Sequence, residues 1–119
     1  MPNVLLLQFD TDENCAERRV LIEDSGAKLF EDEPRWPIFF RTLLTARPDA
    51  IVISCGKLPL HGREAARYIN DGFNTRDIPV IVTDVAPADV AKTKLAAPKS
   101  IVVDRGGLTR ALKNVIATA

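Results

Sequence analysis

Short apolar runs alternate with segments of helical periodicity along the whole chain. The runs are continuous rather than alternating, which is typical of strands buried on both faces of a parallel sheet. The pattern predicts strands at 3–8, 27–30, 50–54, 78–83 and 100–103. The acidic stretch at 31–34 is predicted to be a loop. Five strands, each followed by a more polar segment, therefore organise the chain.

The segments between the strands repeat their apolar residues every three to four positions, as helices do. Asp12 is predicted to cap the first helix, and Gly26 to end it. Val20, Leu21 and Ile22 are expected on the buried side of that helix. Further helices are predicted at 36–46, with Pro37 and Trp36 at its start, at 61–71, at 87–95 and from 108 onward.

Five β-α units require a parallel sheet with helices on both faces, because right-handed crossovers must cover each side. The predicted fold is α/β with three layers, in the flavodoxin-like strand order 2-1-3-4-5. The length of 119 residues suits one compact domain covering residues 1–119.

The composition excludes several classes of function. Lysine plus arginine equals aspartate plus glutamate at 16 each, which argues against direct binding of nucleic acid through bulk charge. Cys15 and Cys55 lack a CxxC spacing and are expected to be reduced thiols. A single histidine, His61, argues against a metal site, and no apolar run approaches the roughly 18 residues of a membrane span. We expect a cytoplasmic protein without a cofactor.

Two segments carry a resemblance to a known family. Residues 52–59 read Val-Ile-Ser-Cys-Gly-Lys-Leu-Pro, and residues 75–83 end in the apolar run Ile-Pro-Val-Ile-Val-Thr. Both resemble the CheY-like receiver domain of two-component response regulators, and the resemblance covers nearly the whole chain. Cys55 stands where that family has its phosphate-accepting aspartate, and Thr83 resembles the hydroxyl residue that contacts the phosphoryl group.

Two further positions, Phe9 and Asp104, depart from the receiver pattern, whereas Asp10 keeps it. Phe9 and Asp10 fall on the two adjacent acidic residues of the family, and Asp104 replaces its lysine. Receivers take phosphate onto a carboxylate oxygen, with Mg²⁺ and lysine offsetting the charge. A thiol is a poor ligand for Mg²⁺, which prefers hard oxygen atoms. The resemblance therefore implies a degenerate pseudo-receiver whose pocket, Phe9, Asp10, Cys55, Thr83 and Asp104, has lost phosphoryl chemistry.

A pseudo-receiver is expected to act in two-component signalling through protein contacts, independently of phosphorylation and not as an enzyme. In the family, the fourth helix, fifth strand and fifth helix often pair with a second copy or with a target. We therefore expect a protein partner, such as a histidine kinase or an output protein, or a homodimer. The corresponding face here holds Lys92, Lys94, Ile101, Arg105, Arg110 and Lys113. A solvated helix surface is the alternative interpretation of these cations.

Other interpretations of the pocket stay open from the sequence. Cys55 can be a small core side chain, or the thiol of a redox or small-ligand sensor. Asp10 can stabilise the first helix, or it can bind a divalent cation together with Asp84 and Asp104. Thr83 can simply bond to the backbone at a strand end. An enzyme is the last alternative, and no pairing of a nucleophile with a base supports it.

Overall fold

The computed structural model describes residues 1–35, 38–45 and 47–118, and within them strands and helices alternate as predicted. The strands are β1 (Asn3–Leu7), β2 (Lys28–Asp32), β3 (Ala50–Ser54), β4 (Val80–Thr83) and β5 (Ile101–Val103). The helices are α1 (Cys15–Glu23), α2 (Ile38–Thr45), α3 (Pro59–Asp71), α4 (Val90–Ala96) and α5 (Leu108–Thr118). Short 3-10 turns at Pro87–Asp89 and Arg105–Gly107 precede α4 and α5.

The strands pair in parallel in the order β2-β1-β3-β4-β5, which confirms the predicted flavodoxin-like topology. Leu5 of β1 lies opposite Ile51 of β3, and Ile51 in turn lies opposite Val80 of β4. The order reverses direction between β1 and β3, so the loops after these two strands diverge. A crevice therefore opens at the carboxyl edge of the sheet.

The side chains of the central strands point alternately into two apolar cores. One core lies under α2 and α3 and holds Leu5, Leu7, Ile51, Ile53, Val82, Phe39, Leu43, Ala65 and Ile69. The other lies under α1 and α5 and holds Val4, Leu6, Val52, Ile81, Ile22, Leu108 and Leu112. Fully burying one such aliphatic side chain contributes about 1.5–3 kcal/mol, so both faces of the sheet stabilise the fold.

The first helix differs from its prediction in its start and in its buried side. It begins at Cys15 rather than just after Asp12, and Asn14 is the residue immediately before the first helical position. Val20 was predicted to be buried, and it is 55% exposed. Consecutive helical residues lie about 100° apart, so Val20 and Ile22 cannot both face the sheet. The inner face of α1 holds Cys15, Arg18 and Ile22 instead.

Other element boundaries were also predicted imperfectly. Glu31 and Asp32 belong to β2 rather than to a loop, because they pair with the last two residues of β1. α3 begins at Pro59 instead of His61, since a helix tolerates proline in its first turn. The segment predicted as one helix at 87–95 is a 3-10 turn followed by α4. The predicted ends of the second helix, Trp36, Pro37 and Ala46, lie outside the described residues.

The helices are short compared with the thickness of a bilayer. α3 has 13 residues, which corresponds to about 20 Å at 1.5 Å per residue. About 20 apolar residues are needed to cross the hydrocarbon core. In the described part of the chain, no helix combines the length and the apolar character that a membrane span requires.

Candidate functional site

The thiol of Cys55 lies at the carboxyl end of β3 and is packed into the core. Its backbone N–H donates to the carbonyl oxygen of Thr83 at 3.0 Å, which continues the pairing of β3 with β4. The side chain is 4% exposed and belongs to the core that contains Ile53 and Ala65. A methyl group on Gly62 would lie 2.8 Å from the sulfur, so the first turn of α3 passes close to the thiol. Cys55 is therefore a core side chain.

The environment of Cys55 keeps its thiol protonated. Burial raises its pKa to about 11, and this effect outweighs the attraction of the Arg63 guanidinium. The carboxylates of Asp89 and Asp84 raise the pKa further. The thiolate is the reactive form of cysteine, and at this pKa very little of it exists near neutral pH. Burial likewise raises the pKa of Cys15, so neither thiol is activated.

Native Cys55 is expected to react with Ellman's reagent about 100-fold more slowly than in the unfolded chain. A pKa of about 11 instead of the ordinary 9.0 lowers the thiolate fraction by this factor, of order 100, before steric occlusion is considered. The measurement is the rate of colour release from a Cys15→Ser chain, in buffer and in denaturant. A chain with both cysteines replaced by serine gives the background colour release. Equal rates in buffer and denaturant would contradict the prediction and favour a redox sensor.

A guanidinium, that of Arg18, lies in the interior at the same edge of the sheet. The side chain is 0% exposed. Its Nε donates to Oδ2 of Asp84 at 2.7 Å, and its Nη2 lies 2.6 Å from the same oxygen in an ion pair. Its Nη1 donates to Oε1 of Gln8 at 3.2 Å, and its Nη2 donates to Oδ2 of Asp12 at 3.3 Å. Each guanidinium nitrogen thus has an oxygen partner, as a buried charge requires.

Asp84 connects Arg18 to a second arginine. Its Oδ1 accepts a hydrogen bond of 2.9 Å from Nε of Arg105, whose Nη1 donates to Oε2 of Glu17 at 2.6 Å. Asp84 has a φ of 59°, in the left-handed region that aspartate and asparagine tolerate better than most residues. This backbone conformation turns the chain after β4 so that one carboxylate contacts both arginines. The loop after β4, α1 and the turn before α5 are thereby joined by ion pairs.

Asp12 supplies the second anion beside Arg18. Burial by itself raises the pKa of Asp12, but the Asn14 N–H, which donates to Oδ1 at 2.9 Å, and the Arg18 guanidinium lower it more. The net pKa lies below the ordinary value of 3.8. A carboxyl group with a lowered folded-state pKa stabilises the fold above its unfolded-state pKa. That contribution is lost as the pH falls through the lowered value.

These residues line a polar cleft of about 450 Å³ at the carboxyl edge of the sheet. Its lining consists of Thr11, Asp12, Glu13, Asn14, Arg18, Gly56, Lys57 and Asp84. Gly56, the residue after Cys55, forms the wall nearest the charges. A methyl group there would lie 2.5 Å from Oδ2 of Asp12 and 2.7 Å from Nη2 of Arg18. Glycine is therefore needed for the loop after β3 to approach the guanidinium.

The other residues predicted for the pocket are dispersed around this edge. Phe9 is half-buried, and its ring meets the His61 ring edge-on at 5.7 Å between centroids. Asp10 is exposed, and Asp104 is exposed with its Oδ1 accepting from the N–H of Gly107 at 2.9 Å. Thr83 is buried, and its Oγ1 has no hydrogen-bond partner within the described ranges. A joint role of these residues as a degenerate phosphoacceptor pocket stays a prediction.

The cation of the cleft was not recognised in the sequence. The spacing of Cys15, Arg18 and Ile22 was the signal that could have revealed it, since they lie three and then four residues apart on one face of α1. Arg105 was assigned to the interaction face, and the structure places its guanidinium against Asp84 and Glu17. Long polar side chains can reach partners that are distant in sequence, and helical periodicity does not reveal those partners.

The cation site that the sequence leaves open would use the carboxylates of Asp10, Asp84 and Asp104. Asp84 forms ion pairs with two arginines, and Asp104 accepts the hydrogen bond that starts the turn before α5. In the described part of the chain, no group of three or more histidine, cysteine, aspartate or glutamate side chains could hold a metal ion.

Sequence comparison does not place this chain in a family. No protein-family model matches it, and no curated protein matches it in sequence. Structural comparison gives clear similarity to receiver domains. The receiver domain of a signal transduction histidine kinase from Syntrophus aciditrophicus has a TM-score of 0.79 and 18% identity, over 100% of this chain and 92% of the other.

Two further solved structures support the same fold. The receiver domain of a sensor histidine kinase from Pseudomonas aeruginosa PAO1 has a TM-score of 0.74 and 22% identity, over 98% of each chain, and contains a magnesium ion coordinated in its active site cleft. The chemotaxis protein CheY4 of Vibrio cholerae has a TM-score of 0.71 and 16% identity, over 97% of this chain and 98% of that one. The chain therefore has the CheY-like, flavodoxin-like fold of receiver domains.

Proposed function

We propose that this chain is a signalling module with the receiver fold that binds a protein partner without being phosphorylated. The observation that carries the proposal is the state of Cys55. At the end of β3, where the resemblance places the phosphate-accepting aspartate, the chain has a thiol that is 4% exposed with a pKa raised to about 11. A buried, protonated thiol offers neither the carboxylate oxygen nor the access that phosphoryl transfer requires.

The surroundings of Cys55 also lack the charges that phosphoryl transfer uses. Catalysis of this step depends on cations positioned around the equatorial oxygens of the phosphoryl group. Asp104 stands at the end of β5, where the resemblance places a lysine, and it adds a negative charge there. Phe9, at the end of β1, supplies an apolar ring in place of an oxygen ligand. Both substitutions disfavour phosphoryl transfer at this edge of the sheet.

The magnesium ion that the receiver fold implies does not fit the residues present here. Oδ2 of Asp84 lies 2.6 Å from Nη2 of Arg18, and Oδ2 of Asp12 lies 3.3 Å from the same atom. Both carboxylates are therefore directed at a guanidinium. A divalent cation next to that group would be repelled by its charge and would compete for the same oxygen atoms. No phosphoryl-transfer step through magnesium is assigned to this cleft.

The surface around β5 is the proposed interaction face. β5 is the edge strand of the sheet, with α4 on one side and α5 on the other. A groove of about 400 Å³ includes Val90, Lys94 and Val102, and one of about 360 Å³ includes Ile101 and Arg110. Each groove thus joins apolar side chains to a cation, and the larger one is also lined by Asp84 and Asp104. This combination suits a protein partner that provides both an apolar anchor and negative charge.

The charge of this face favours a different protein over a second copy of the chain. Residues 90–119 contain six lysines or arginines and one aspartate, whereas residues 1–89 contain 10 cations and 15 anions. Within the described residues, no ion pair engages Lys92, Lys94, Arg110 or Lys113. A two-fold dimer through this face would bring like charges together. An acidic protein surface complements it.

The proposal places the chain in two-component signalling in the cytoplasm, with a histidine kinase or an output protein as its partner, and assigns it no enzymatic activity. The fold supports this placement because receiver domains share it. The alternative role as a redox sensor gains no support from Cys55, because burial suppresses its thiolate.

The proposal is tested by capturing partners on the immobilised chain, with and without acetyl phosphate and Mg²⁺. We expect the same partner proteins in both conditions and an unchanged intact mass for the chain, because no carboxylate acceptor with a bound cation is available. A phosphoryl group added in a Mg²⁺-dependent reaction, or a partner bound in only one condition, would contradict phosphorylation independence. Both readouts come from mass spectrometry of the same samples.

The interaction face is tested in the same experiment with charge-reversed variants. Arg110→Glu combined with Lys113→Glu is expected to abolish capture, since both side chains are exposed on α5. Arg110→Glu alone makes the same change of charge as the control Arg41→Glu and is expected to weaken capture. Arg41→Glu is expected to leave capture unchanged, because Arg41 is exposed on α2, which packs near the opposite edge strand β2. Equal losses with these two single variants would show that capture follows net charge rather than this face.

A further inference from the structure

The guanidinium of Arg18 is surrounded by oxygen atoms from segments that are distant in sequence. Gln8 follows β1, Asp12 lies in the loop before α1, and Asp84 follows β4. The three side chains contribute Oε1, Oδ2 and Oδ2 at 3.2, 3.3 and 2.6 Å from guanidinium nitrogens. The arrangement is an oxygen cage, defined by Gln8, Asp12 and Asp84, around one positive charge.

The cage is negatively charged without Arg18. Two carboxylates approach one nitrogen atom, and their side chains are only 6% and 16% exposed. Buried carboxylates that lose their cation repel each other and must take up protons or another cation. Arg105 contacts Asp84 from the outside of the cage and does not reach Asp12 in the contacts described. Among the ion pairs of the described residues, Arg18 is therefore the cation that contacts Asp12, and the charge of Lys57 also lowers the pKa of this carboxyl group.

Nη2 of Arg18 contacts both carboxylates of the cage. It lies 3.3 Å from Oδ2 of Asp12 and 2.6 Å from Oδ2 of Asp84, beside Gly56, the residue that follows Cys55. Hard divalent cations are bound by carboxylate and amide oxygens, and Mg²⁺ keeps several of its waters while using one or two carboxylates. The cleft of about 450 Å³ has room for such waters.

We propose that Arg18 is the built-in cation of this cleft and that it excludes divalent metal ions from the oxygen cage. The guanidinium holds Asp12 and Asp84 together in the way that a bound metal ion would, and it does so at any metal concentration. Replacing it by a neutral side chain removes the cation that contacts both Oδ2 atoms, while Arg105 stays on Oδ1 of Asp84. The cage then takes up a divalent ion. This inference depends on the cage geometry and not on Cys55 or on the interaction face.

Two measurements on wild type and Arg18→Met test this proposal. The first is a titration with Mn²⁺ in which electron paramagnetic resonance measures the free ion. The second is thermal unfolding with and without Mg²⁺. Wild type is expected to bind no Mn²⁺ and to unfold at the same temperature in both buffers. Arg18→Met is expected to bind one Mn²⁺ and to unfold at a higher temperature in Mg²⁺, because a ligand of the native state stabilises it.

Two matched variants assign the effect to the cage. Arg18→Lys keeps a positive charge and is expected to bind no Mn²⁺, whereas Arg18→Met combined with Asp84→Asn is expected to lose the Mn²⁺ bound by Arg18→Met. Mn²⁺ binding to wild type that disappears in Asp12→Asn would overturn the proposal. So would an Arg18→Met chain that binds no Mn²⁺, or one that Mg²⁺ fails to stabilise or refold. These readouts are separate from phosphorylation, so this inference and the proposed function can fail independently.

Discussion

Asp84→Asn is expected to lower the free energy of unfolding by about 3 kcal/mol, the usual loss when one partner of a buried ion pair is removed. Arg18 is 0% exposed and would keep only Asp12 as an anionic partner. Asparagine preserves the size of the side chain and tolerates the φ of 59° at this position. The change therefore isolates the charge from backbone strain. Urea unfolding, monitored by circular dichroism, measures the change in the free energy of unfolding.

Asp10→Asn is the matched control for this prediction. The chemical change is the same and the position is near the same edge of the sheet, but Asp10 is exposed. Exposed substitutions away from specific contacts usually change stability by less than about 0.5 kcal/mol. Equal destabilisation by the two variants would contradict the role given to the ion pairs of Arg18. It would point instead to the general loss of negative charge.

Ile53→Ala is expected to lower the free energy of unfolding by about 2–5 kcal/mol, because the lost methylene and methyl groups leave a cavity in a rigid core. Ile53 is 0% exposed in the centre of the sheet and packs in the same core as Cys55. Ile101→Ala is the matched control, since it makes the same change in the edge strand, where the side chain is 42% exposed.

Urea unfolding of both isoleucine variants checks this contrast. The smaller loss is expected for Ile101→Ala, because a partly exposed side chain loses less burial and leaves no closed cavity. A loss at Ile101 as large as the loss at Ile53 would show that the edge of β5 is packed as tightly as the centre. The proposed interaction face would then lack the exposed apolar anchor that it requires.

The central strands were predictable because each is a continuous apolar run, as buried parallel strands are. Ala50–Ser54 is buried at every position, as the run from Ala50 to Ile53 indicated. The number of helices and the apolar stripe of α5 were also predictable, because apolar residues recur along these segments with the helical period. Boundaries were less predictable. β2 continues through Glu31 because this residue pairs with β1 and its carboxylate accepts hydrogen bonds from the Arg19 guanidinium and the neutral amide of Gln8. None of these partners is adjacent to Glu31 in sequence.

The residues of the cleft show more clearly what could not be predicted from the sequence. The sequence pointed to the carboxyl edge and to Cys55, because the ends of parallel strands meet at one edge whatever the side chains are. It did not show that Cys55 turns into the core or that Arg18 enters the cleft. Those outcomes depend on Gly62 approaching the sulfur and on Asp84 adopting a left-handed conformation.

The amino-acid pattern was sufficient for the parallel sheet, for its layers and for the absence of an aspartate at the end of β3, since these follow from local periodicity and residue identity. The ionic contacts of Arg18 required the folded chain. They join Gln8, Asp12 and Asp84. The physical reason is that a buried charge is stable only among partners brought together from separate loops, and local sequence does not encode which loops will meet.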